Sequence, residues 1–89
     1  MMDETLARLK LQLELLDWPS EYLYKFIVPN DSDKVDAVKA LFDADADIKS
    51  NVSKTGKYIS ISIKELEISA DAIVEKYMQA SSISGIISL

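Results

Sequence analysis

A chain of 89 residues with 48% apolar and 28% charged side chains is one small folded domain, not a disordered tail or a membrane protein. Its 10 Lys+Arg against 15 Asp+Glu leave a net charge of −5, which repels nucleic acid and anionic lipid at long range but allows a local basic patch. Cysteine and histidine are both absent, which excludes disulfides, thiolate chemistry and the commonest neutral-pH base and metal ligand.

Residues 3–16, DETLARLKLQLELL, predict an amphipathic helix. Leu6, Leu9, Leu13 and Leu16 recur at helical spacing, and Leu11 and Leu15 widen the stripe. Asp3 is the expected cap, and Pro19 stops the helix by disfavouring helical geometry at Trp18. The stripe is a packing face, for its own domain or for a neighbour. One expected position is across the open face of a sheet, with Leu6, Leu9 and Leu13 resting on Leu23 and Ile27. Trp18 is expected to plug the core beside Pro19.

Residues 21–28 predict a strand. Tyr22, Tyr24, Phe26 and Val28 form its core face, and Leu23, Lys25 and Ile27 the other. Asp31 or Ser32 caps a second helix that runs to about Asp43 and carries Val35, Val38, Leu41 and Phe42. Residues 47–54 predict a weaker strand, which turns at Thr55-Gly56 into the strongest pattern in the chain. There Ile59, Ile61 and Ile63 alternate with Tyr58, Ser60, Ser62 and Lys64, so one face is apolar and the other polar and basic. Ser69 caps a third helix whose inner face is Ala70, Ile73, Val74, Tyr77 and Met78. Residues 83–89 predict a last strand without a charged side chain.

A helix followed by the order βαββαβ predicts an α+β, ferredoxin-like two-layer sandwich. Residues 18–89 supply a four-stranded antiparallel sheet with two helices on one face, and residues 1–17 supply an additional N-terminal helix. The two strongest strand patterns, at 21–28 and 58–64, take the central positions.

The segments WPSEYLYKF and SKTGKYISISI carry a further signal. Trp18-Pro19, Tyr24-Lys25 and the set Ser53, Lys54, Gly56, Tyr58, Ser60 and Ser62 resemble the YbeD-like family of small bacterial proteins. Thr55, inserted between Lys54 and Gly56, departs from that pattern, as do Val28 and the long leading helix. The resemblance implies a ferredoxin-like fold similar to ACT-type regulatory domains, and it implies no established activity.

The residues themselves set the functional expectations. Asp43, Asp45 and Asp47 open like a calcium loop, but Ile48 and Lys54 stand where that loop needs Gly and Glu, so no metal site is expected. Tyr58 suggests an RNA-recognition surface, but Ser60 and Ser62 occupy the positions where stacking aromatics are needed. Glu65 and Glu67 pair at a strand end without a recognisable partner. No nucleophile elbow or phosphate-cradling loop occurs, so neither catalysis nor a cofactor is expected.

The first expectation is therefore a small, non-catalytic, cytoplasmic regulatory or protein-interaction domain. The expected ligand- or partner-binding residues are Lys25, Tyr58, Ser60, Ser62 and Lys64 on the open sheet face, with Lys49 and Asn51 beside them. The uncharged strand at 83–89 lacks the charges that normally guard an edge, so pairing with a protein partner or with a second copy is expected there. A second reading is an ACT-like sensor that binds an amino acid or related anion at a dimer interface near residues 29–33. A third is an RNA-binding module. No run is long enough to span a membrane, and the acidic N-terminus does not read as a secretory signal.

Overall fold

The computed structural model describes residues 4–88. In chain order the elements are α1 (Glu4–Leu13), β1 (Ser20–Pro29), α2 (Ser32–Lys39), β2 (Asp47–Val52), β3 (Tyr58–Glu67), α3 (Ala70–Ala80) and β4 (Ile87–Ser88). The sheet has the order β2-β3-β1-β4, with every neighbouring pair antiparallel. This is the expected ferredoxin-like arrangement with an added N-terminal helix. The cap at Asp3 and the final residue of the expected last strand, Leu89, lie outside the described residues.

Alternation decides the faces. On β1, Tyr24, Phe26 and Val28 are fully buried, and on β3 so are Ile61 and Ile63. Tyr24 lies opposite Ile63 and Phe26 opposite Ile61, so the aromatic row and the isoleucine row form one apolar layer. Val38 and Phe42 from the α2 side, and Ile73, Tyr77 and Ala80 from α3, close over it. Burying each large side chain of this kind contributes about 1.5–3 kcal/mol. The rings of Tyr24 and Phe42 meet at 4.9 Å, and those of Tyr24 and Tyr77 at 5.4 Å.

The helix starts follow the expected chemistry. The Asp31 carboxylate accepts from the Asp33 N–H at 2.9 Å, and the Ser69 hydroxyl accepts from the Ala72 N–H at 3.2 Å. Helix α2 is shorter than the periodicity suggested, because its last turn tightens through Leu41 N–H to Val38 O and Phe42 N–H to Lys39 O. Gly56 has a φ of 74°, the left-handed turn that hands β2 over to β3.

Three expectations are corrected. First, α1 does not cross the open face. It packs on α3 and on the helix side of the sheet, with Leu13 buried and Leu6 and Leu9 against the core. An ion pair from Lys10 to Asp71 at 2.9 Å holds it there. The Trp18 indole N–H donates to Leu13 O at 2.9 Å, and the Trp18–Pro19 peptide is cis. Leu23, expected beneath the helix, is 47% exposed.

Second, β3 runs three residues further than the alternation of isoleucines indicated, because Ser20, Glu21 and Tyr22 of β1 pair with Glu67, Leu66 and Glu65. Third, residues 83–86 do not join the last strand. Ile83 N–H bonds to Ala80 O and Ile86 N–H to Ile83 O, and Gly85 turns with a φ of 81°. Ile83 and Ile86 pack onto the core, and among the described residues Ile87 and Ser88 pair with β1.

Candidate functional site

The open face of the sheet is built by register. β3 presents Tyr58, Ser60, Ser62 and Lys64 outward. β1 sets Ile27 against Ser60, Lys25 against Ser62 and Leu23 against Lys64. On the other side, β2 sets Asn51 against Ser60, Lys49 against Ser62 and Asp47 against Lys64. One rung of the face therefore reads Lys49, Ser62, Lys25 across three strands. Strand spacing separates the two lysine backbones by about 10 Å, close enough for both ammonium groups to converge above the Ser62 hydroxyl.

The two lysines have no internal counter-charge. The ion pairs among the described residues are Arg8 with Glu4, Lys10 with Asp71, and Lys64 with Glu21. Lys25 and Lys49 enter none of them. Two ammonium groups, the hydroxyls of Ser60 and Ser62 and the Asn51 amide make a donor-rich patch. Such a patch suits a carboxylate or phosphate through charge-assisted hydrogen bonds.

The expected residues divide accordingly. Lys25, Ser60 and Ser62 come together at the centre of the face. Tyr58 lies at its end, opposite Pro29, and is 46% exposed. Lys64 sits on the same face but belongs to its acidic end, 3.8 Å from Glu21 and across from Asp47. Lys49 replaces it as the second free cation. The alternation of Asp47, Lys49 and Asn51 along β2 was the sequence signal for this.

A cavity of about 520 Å³ lies at that acidic end, where β3 overhangs the start of β2. Glu21, Asp43, Asp45, Asp47, Lys64 and Glu65 line it. Among the described residues, no group of three or more carboxylates is arranged to hold a metal ion.

The residues 29–33 considered for an anion sensor are closed on themselves. Asn30 donates its side-chain amide to Gly56 O at 2.8 Å and its backbone N–H to Lys57 O at 2.9 Å, and the Asp31 carboxylate is occupied as the α2 cap.

Beneath the face lies a second polar cluster, where the paired Glu65 and Glu67 of the sequence turn inward beside Tyr24. Because β3 extends, Glu65 and Glu67 continue the isoleucine side of the strand, and Glu67 is only 4% exposed. The Tyr24 hydroxyl, Glu65 Oε2 and Glu67 Oε1 are buried, and none completes a hydrogen bond. Burial, followed by the charge of Glu65, pushes the Glu67 carboxyl above its usual range, and the nearby Tyr24 hydroxyl and Lys76 oppose this. Burial and the Glu67 charge likewise raise Tyr24. Lys76 does not neutralise the pair, because its ammonium donates to Leu41 O and lies 5.1 Å from the Phe42 ring centre.

No helix among the described residues is long and apolar enough to cross a membrane. No curated protein and no solved structure matches the chain. A family model described as a protein of unknown function (DUF493) matches residues 13–87. That span takes in the face, its supporting helices and the turn into the last strand, and the chain belongs to this family.

Proposed function

We propose that this is a non-catalytic interaction domain of the cytoplasm, whose open sheet face receives an acidic segment of a protein partner. The carrying observation is the Lys49, Ser62, Lys25 rung, which holds two cations without an internal counter-charge. A short acidic stretch laid across this rung meets both ammonium groups and the serine hydroxyls together. The uncharged stretch at 83–88 offers a second contact, to the same partner or to another copy, although only two of its residues pair as a strand. The absence of histidine and cysteine supports a role in binding rather than chemistry.

The test is calorimetric titration with a short capped oligoglutamate peptide at low salt. Binding that weakens with added salt and falls by roughly four- to twenty-five-fold in the Lys25→Ala, Lys49→Ala double variant supports the reading. An unchanged affinity in that variant refutes it. A thermal-shift response to a free amino acid, with none to the peptide, transfers the role to a small-molecule sensor.

A further inference from the structure

We propose that the open edge of β1 takes up an extended segment of another protein as an added strand, one that alternates apolar and carboxylate side chains. β1 pairs with β3 along its whole length, from Ser20 opposite Glu67 to Pro29 opposite Tyr58. On its other side β4 covers only Phe26 and Ile27. Among the described residues, 20–25 therefore have no strand beside them on that side. Main-chain N–H and C=O groups bond strongly, and an uncovered run of them is a template for strand addition.

A cavity of about 390 Å³ lies beside this edge on the helix side, lined by Leu6, Leu9 and Gln12 of α1 with Tyr22, Tyr77 and Ser88. It continues the line of β4, whose last described residue, Ser88, borders it. The hydroxyls of Tyr22 and Tyr77 bond each other at 3.0 Å, so the floor is satisfied and presents mainly ring and leucine surface.

Side chains of an added strand would alternate in step with those of β1. Those level with Tyr22 enter the cavity, where apolar groups fit. Those level with Lys25 turn to the open face, where an ammonium outside every ion pair among the described residues selects a carboxylate.

The guest is a different protein, not a second copy. On the same edge of a second copy, the side chains turned to the cavity side are Tyr22, bonded to Tyr77, and Tyr24, fully buried, while the exposed Leu23 turns to the open face, so no apolar side chain is free to enter the cavity. The inference goes beyond the reading of the sheet face. It needs the main-chain edge and the cavity, not Lys49 or Ser62.

The test is amide hydrogen exchange on the full chain with a capped peptide of alternating glutamate and valine. Saturating peptide should slow exchange at amides within 20–25 by about tenfold or more. Gln12→Trp and Thr5→Trp fill the cavity from exposed positions on α1 and should each abolish that protection at an unchanged melting temperature. Lys49→Ala should retain it, and a peptide of alternating lysine and valine should give none. The proposal is overturned by normal exchange at 20–25 under saturating peptide, or by protection that survives both tryptophan variants. It is equally overturned by protection that Lys49→Ala removes, which puts the peptide on the face, or that grows with protein concentration alone, which makes the occupant a second copy.

Discussion

Lys25 and Lys49 stand on opposite sides of the same Ser62, one from each neighbouring strand, and neither has a carboxylate partner among the described residues. A domain with net charge −5 thus keeps two cations on one rung of its sheet. Exposed like charges at this spacing contribute little to stability. Lys25→Ala and Lys49→Ala should each leave the melting temperature unchanged and weaken oligoglutamate binding by roughly two- to fivefold, the range of an exposed charge pair. Paired thermal and calorimetric measurements check both halves. A large loss of stability without loss of binding would mark the lysines as structural.

The buried Glu67 carries a pH signature. Its folded pKa is raised, so between its unfolded and folded values the native state holds more protons than the unfolded chain. Stability from this group is therefore greatest below the unfolded carboxylate range of about 4.3 and is lost as pH rises through the folded value. Glu67→Gln should stabilise the protein at neutral pH by about 1 kcal/mol or more, by removing a buried charge. Urea unfolding of both proteins across mildly acid to neutral pH should show the difference shrinking as pH falls. Equal stability at neutral pH would mean the carboxylate is satisfied.

The two glycines should respond differently to a methyl group. At Gly56 an added Cβ meets nothing within 4 Å, so Gly56→Ala should cost only the left-handed backbone penalty of about 1 kcal/mol. At Gly85 the same atom would lie 2.9 Å from Pro29 Cγ, so Gly85→Ala should cost about 2 kcal/mol or more. Chemical denaturation of the two variants ranks them.

The first helix belongs to the core. Leu13 is 4% exposed, and Leu13→Ala should cost about 2–4 kcal/mol. Leu15, only two residues on, is 85% exposed, and Leu15→Ala should stay within about 0.5 kcal/mol of the parent. Similar small effects at both positions would detach α1 from the domain.

How much of this was legible in the sequence follows from which signals are local. The alternation at 58–64 and the aromatic row at 22–28 reported both faces of the central strands, because side-chain direction there has a period of two. The Asp31 and Ser69 caps were readable for the same local reason. The extent of β3 was not, because Glu65 and Glu67 look like surface residues until pairing with β1 carries them inward. Nor was the position of α1, since its leucines fit either layer of the sandwich and only packing against α3, distant in the chain, decides between them. On the face, chain pattern nominated Lys64 as readily as Lys25. Only the register showed Lys64 drawn to Glu21 and left Lys49 in its place.

The most direct measurement is a backbone NMR titration of the full chain with oligoglutamate at low salt. The lysine rung predicts saturable shift changes concentrated at Lys25, Lys49, Asn51, Ser60 and Ser62, fading as salt is added. Changes confined to the helices, or none at saturating peptide, would contradict the sheet face as the binding surface.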